Sequence, residues 1–320
     1  APMALLMVGA ALIAFMGFVT GEPVVTGKSA TNTFTFDVVQ VMTNLLKSRA
    51  AGLGMNIMVV AGFAAYMDRI GATKSLVNLC TKPLEKIHAP YVLLALAYVV
   101  GQLLNVFIPS ATGLGMLLMV TLFPLLVSQG VSKYSAAAAI ATASALDLGP
   151  ASGNSLLAAE LSEIHVMEYF FDGQLPIAVV VLPLCAIAHA FLQRQFDIKD
   201  RALGRLTDAD FTAEAVEVKG AAAQRTSPAY YALLPLLPVV LLFVFSKFVY
   251  AEVRLELITA ILFCCFTAFV VDLLTRRTPK EVVADTKAIF EGMGKVFTST
   301  VILIICAEAV SYTHLRAHET

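Results

Sequence analysis

Two short clusters of small, hydroxyl-bearing residues carry the chemistry open to this chain. Pro109-Ser110-Ala111-Thr112-Gly113 and Gly149-Pro150-Ala151-Ser152-Gly153-Asn154-Ser155 interrupt runs otherwise apolar enough for hydrocarbon. Ser110, Thr112, Ser152, Asn154 and Ser155 can donate hydrogen bonds to carboxylate oxygens. Gly113, Gly115, Gly149 and Gly153 let backbone approach a ligand closely. A helix that restarts after such a break offers free N–H groups and a partial positive charge, which favour an anion. No Lys or Arg lies between Tyr91 and Ser132. An anion here would therefore be held by dipoles and hydroxyls, together with any coupled cation. Small residues can also serve only close helix packing. Two clusters, each with Pro, Gly and adjacent hydroxyls, argue instead for a site. Ser110, Thr112, Gly113, Ser152, Gly153 and Asn154 are its candidate ligands.

Asp147 lies about one turn before the second cluster. An ionisable group at membrane depth is costly and is a functional hypothesis by default. It can take up a coupling proton or help hold a cation such as Na+. Asn105 is close enough in sequence to Ser110 to line the same cavity. Asn56 and Gln102 suit hydrogen bonding between helices, and His189 reads as a satisfied interfacial side chain. Glu308 receives no role. Cys80, Cys185, Cys264, Cys265 and Cys306 are scattered, without metal or disulfide spacing. HExxH, GxGxxG, P-loop and GxSxG motifs are absent. Neither a metal, nor an organic cofactor, nor an enzyme is expected.

These residues need elements to position them, and the composition says which. The 320 residues are 58% hydrophobic and 14% charged, with a mean hydropathy of +0.81. Soluble domains carry about 25% charged residues. The pattern predicts an all-α, polytopic membrane protein. A net charge of −1 without a basic arm excludes a nucleic-acid partner. Apolar spans are expected at 3–19, 52–67, 175–192, 230–248 and 256–274, with another beginning at 289–309. Residues 34–47 and 75–87 are amphipathic and suit the interface. Between them lie hairpin arms at 91–108 and 114–127 and a broken helix at 134–148 and 156–163. Non-helical backbone survives at membrane depth only where protein buries it or a cavity hydrates it. Paired breaks of this kind point to the binding site of a secondary transporter.

Lys and Arg in the short loops set the orientation. The basic stretches 193–228 and 276–287 are expected in the cytoplasm and the acidic stretch 161–172 outside. Residues 91–127 then form a re-entrant hairpin tipped by Ser110 to Gly113. Two full spans are the competing reading. The start at Ala1 falls inside an apolar run and reads as a lost beginning. Residues 310–320 resemble a translated sequencing adapter and are set aside as non-native.

Several runs together carry a family resemblance. Gly62-Phe63-Ala64-Ala65-Tyr66-Met67, Lys82-Pro83-Leu84, Ser110-Ala111-Thr112-Gly113-Leu114-Gly115, Thr121-Leu122-Phe123-Pro124 and Pro150-Ala151-Ser152-Gly153 stand in this order. In that order and spacing the chain resembles anaerobic C4-dicarboxylate carriers of the DcuC type over residues 1–309. The resemblance implies the ion-transporter superfamily, with two inverted repeats. It implies a first repeat at 1–192, holding hairpin 91–127 and broken helix 134–163. A cytoplasmic loop at 193–228 and the start of a second repeat at 229–309 follow. It also implies a multi-pass protein of the bacterial inner membrane that exchanges or exports succinate and fumarate, with proton coupling. The expected partners are a small dicarboxylate and the lipid bilayer, with a homodimer open. The alternatives are a carrier of another organic anion, such as a short-chain monocarboxylate, or a non-transporting membrane subunit. The family is longer at both ends, so half the site is expected to be missing and the chain is not expected to transport alone. Asp147 matches no family requirement.

Overall fold

The computed structural model describes residues 2–21, 24–25, 30–31, 33–212, 227–250, 252–253, 255–276 and 278–308. The stretch set aside at 310–320 lies outside them. Every regular element among the described residues is helical, as expected of a chain whose spans must pair their own backbone groups in lipid. α1 (Pro2–Thr20) leads to α2 (Phe34–Ala51), which bends by 45° at Gly52 into α3 (Leu53–Arg69). α4 (Ala72–Thr81) and a tighter turn at Lys82–Lys86 follow. α5 (Pro90–Phe107) and α6 (Ala111–Ser128) form the hairpin. α7 (Lys133–Ala141) and α8 (Gly153–Leu161) flank the second break. α9 (Val166–Glu168) runs on through a widened turn at Tyr169–Gln174 into α10 (Leu175–Ala202).

A tight helix at Ala229–Leu236 then continues as α11 (Leu237–Val244), and α12 (Leu257–Arg276) follows. The last described helices are α13 (Pro279–Asp285) and α14 (Lys287–Val296), which extends helically to Glu308. Among the described residues, five helices are long and apolar enough to cross a membrane: 90–107, 111–128, 166–202, 257–276 and 279–308. The bent pair α2–α3 makes a sixth, while 6–19 and 229–244 are shorter apolar stretches.

Two buried cores organise these helices. The first joins α3, α8, α11, α12 and the segment around Tyr231 through Leu53, Ile57, Phe63, Leu156, Leu242 and Ile261. α3 and α14 cross so closely that a Cβ on Gly62 would lie 2.7 Å from the Ile289 carbonyl oxygen. The second core joins α4 to the hairpin and α7 through Leu76, Val77, Leu94, Leu118, Leu126 and Ala139.

Packing extends or redirects several expected elements. One face of α4 packs inward, with Leu76 and Val77 buried in the hairpin's own core. The helix expected at 175–192 continues to Ala202, because buried Asp197 is anchored to the N-terminus of α7. It accepts hydrogen bonds from the hydroxyls of Ser132 (2.6 Å) and Ser135 (2.7 Å) and from Tyr91 (3.0 Å).

Candidate functional site

The hairpin closes on itself. A Cβ on Gly130, just beyond α6, would meet Pro90 at the start of α5 at 3.8 Å. The turn Ile108-Pro109-Ser110 therefore forms the opposite end, about 27 Å away for arms of this length. Ser110 is the N-cap of α6: its hydroxyl oxygen accepts from the Gly113 N–H at 3.2 Å. That leaves the Ser110 O–H free to donate outward. Thr112 is exposed. With Gly115 and Met119 it faces Ile140, Ala141 and Ser144 across a cleft of about 470 Å³. Asn105, one turn back on α5, is buried with its amide nitrogen unpaired.

The second break is longer than the alternation of residues suggested. α7 stops at Ala141, seven residues short of the expected Leu148. Asp147 (φ 43°) and Gly149 (φ 123°) adopt left-handed backbone that no right-handed helix continues. The exposed backbone groups find partners. Gln102 of α5 donates to the Thr142 carbonyl at 2.8 Å, and the Gly149 N–H donates to Gln174 at 3.3 Å. Gln102 thus bridges α5 and the break, as its sequence position suggested.

Ser152 caps α8, its hydroxyl oxygen accepting from the Ser155 N–H at 3.2 Å. Its own O–H donates to Asp147 at 2.9 Å, and the Asn154 amide donates to the same Asp147 oxygen at 2.7 Å. Asp147 is therefore folded back onto the N-terminus of α8 rather than set one turn before it. A carboxylate already sits on two of the predicted carboxylate ligands.

The second break packs on α5 through backbone. A Cβ on Gly149 would lie 2.9 Å from the Val106 carbonyl oxygen in the last turn of α5. Leu148 shares a small core with Val106. No hydrogen bond among the described residues joins Ser110, Thr112 or Gly113 directly to Ser152, Gly153 or Asn154. Gly153 faces Ile57 of α3 instead. The break thus abuts the hairpin end, with an N-capped helix start on each side.

Two participants were not legible beforehand. Gln174 sat in a segment with no pattern to connect it to Gly149. Asp68 looked like the polar end of a span, yet its carboxylate packs on the hairpin tip. A Cβ on Gly113 would lie 3.3 Å from its Oδ2. In the last turn of α2, Arg49 pairs with Glu308 and with Glu160 at 2.8 Å, which gives Glu308 a structural role. No group of three or more His, Cys, Asp or Glu suited to a metal occurs among the described residues.

The family model described as the C4-dicarboxylate anaerobic carrier matches residues 2–316, and so reaches into the stretch set aside at the end. The anaerobic C4-dicarboxylate transporter DcuC of Escherichia coli K12 is 36% identical over 304 residues, covering 94% of this chain and 63% of the relative. The Shigella flexneri protein of the same name gives the same figures. The probable anaerobic C4-dicarboxylate transporter DcuC of Vibrio cholerae is 34% identical over 308 residues, covering 96% of this chain and 65% of the relative. The chain thus spans less than two thirds of the length of these relatives. No solved structure matches it. With the family model matched over nearly its whole length, this all-helical chain belongs to the C4-dicarboxylate anaerobic carriers.

Proposed function

We propose that this chain forms the membrane part of a secondary carrier that exchanges C4-dicarboxylates, such as succinate and fumarate, across a bacterial inner membrane. The observation that carries the reading is the backbone packing of Gly149 on Val106, which sets the break leading to Ser152 against the helix leading to Ser110. A dicarboxylate has two anionic ends, and this region offers two clusters of neutral donors. Helix N-termini favour each carboxylate without the tight grip of a buried Arg or Lys, so the substrate can leave again. The printed names of the relatives supply the substrate class.

Asp147 enters this reading as a tethered surrogate. Its carboxylate rests on Ser152 and Asn154, and an incoming carboxylate takes its place. The two separate cores suit alternating access, with the hairpin, α4 and α7 moving against the α3–α12 group.

The test uses the full-length protein in liposomes loaded with unlabelled fumarate. Labelled succinate should accumulate transiently by counterflow, and external fumarate should compete while butyrate does not. Competition by short monocarboxylates alone would overturn the substrate class. Absence of flux from folded protein would overturn the carrier reading.

A further inference from the structure

Asp68 is the last acidic residue of α3, and its surroundings are unlike those of Asp147. Its Oδ2 packs against the hairpin tip, 3.3 Å from where a Cβ on Gly113 would stand. Its Oδ1 is buried with no hydrogen-bond partner. Asp147 accepts two hydrogen bonds on one oxygen, although both residues are half-buried.

The charged and titratable groups on the surrounding elements are otherwise committed or indifferent to it. α6 carries none. On α3 itself, Arg69 turns to Asp285 of α13 at 2.8 Å, and Tyr66 has an unpaired hydroxyl that does not reach Asp68. On α12, Arg276 binds Asp272 and Asp285, both at 2.6 Å. Tyr231 donates to Asp272 at 2.8 Å, and its neighbour Tyr230 meets Thr275. α4 brings Lys74 and the Thr73 hydroxyl. Among these, the Thr73 side chain hydrogen-bonds the Asp68 carboxyl.

A carboxylate in that position is expensive. An ionised oxygen taken out of water without a hydrogen bond, as Oδ1 is here, favours the neutral acid. The location adds the functional step. α3 belongs to one packed core and Gly113 to the other, so Asp68 sits on the seam between them. Any displacement of the hairpin tip from α3 opens Asp68 to water.

We infer that Asp68 is the proton-carrying group of the transport cycle, protonated while the hairpin tip is packed against α3 and ionised when the tip moves away. The exchange is a simple one: the carboxylate takes a proton from water on one side of the membrane to become the neutral acid, and returns it to water on the other. This inference rests on the carrier reading above and deepens it. It moves the coupling role from Asp147 to a residue outside the donor clusters.

The experiment compares two modes of transport in the full-length protein. Counterflow of succinate against fumarate needs no net proton movement. Accumulation driven by an imposed proton gradient does. Asp68→Asn mimics the neutral acid, so it should keep counterflow and lose gradient-driven accumulation. Asp68→Glu keeps an ionisable group and should retain accumulation with a displaced pH dependence, which keeps the idea testable if the Asn variant does not fold. Gradient-driven accumulation by Asp68→Asn equal to that of the unaltered protein would overturn the inference. So would accumulation by the unaltered protein that follows a sodium gradient and ignores a proton gradient. Absence of counterflow in the unaltered protein would instead sink the carrier reading, and this inference with it.

Discussion

Asp147 is held in a left-handed conformation, at φ 43°, while its carboxylate accepts hydrogen bonds from Ser152 and Asn154. An L-residue other than glycine pays about 1–2 kcal/mol for that backbone. If Asp147 competes with substrate, then Asp147→Gly should both relieve the backbone and vacate the donors. Hydrogen bonds to a charged group are worth about 1.5–3 kcal/mol. The KM for succinate in full-length carrier should therefore fall by roughly tenfold, since about 1.4 kcal/mol corresponds to that factor. A raised KM would show instead that the Asp147 carboxylate assists binding. Ser110 and Ser152 were legible as ligand candidates because hydroxyls at breaks in apolar helices can donate to carboxylate oxygens. The structure shows that each caps its helix. Asp68 was not legible. Asp followed by Arg at the end of an apolar run reads as a water-facing terminus, and only the return of the chain through α4 and α5 brings Gly113 onto it.

The hairpin and the broken helix were readable from Pro, Gly and hydroxyl clusters, because those residues stop helices for local reasons. The length of the break was not. Alanine-rich 134–148 has high intrinsic helix propensity, yet α7 ends at Ala141. Tertiary partners outweigh propensity here. Gln102 binds the Thr142 carbonyl, and a Cβ on Gly101 would lie only 2.6 Å from the Ala143 side chain. The fit of the break on α5 makes a sharp demand at Gly149. Its φ is 123° and a Cβ there would lie 2.9 Å from the Val106 carbonyl oxygen. Gly149→Ala should destabilise the protein by about 1–3 kcal/mol through strain and overpacking. Thermal unfolding in detergent would register this as a lowered Tm, and an unchanged Tm would mean that the break does not pack on α5 as described.

Contacts at the ends of the helices group the chain by side. Lys247 binds Glu168 and, at 3.1 Å, Asp172, so the end of the α11 segment lies with the acidic stretch at 161–172. At the other end of the same bundle, Arg69 and Arg276 share Asp285, and Ser227 donates to the Ile70 carbonyl. The larger core, however, joins helices from both sides of residues 193–228, which no local pattern announces, because the partners are far apart in the chain. The account therefore stands on one region built by distant segments: the hairpin end beside the break. Counterflow kinetics of Ser110→Ala and Ser152→Ala in full-length carrier test it most directly, with thermal unfolding as the control for folding. Each variant should raise the KM for succinate by roughly tenfold for about 1.4 kcal/mol of lost carboxylate binding, with unfolding temperature lowered only by the loss of a cap. Variants that are folded and exchange succinate with unaltered KM would contradict the placement of the substrate at the two breaks.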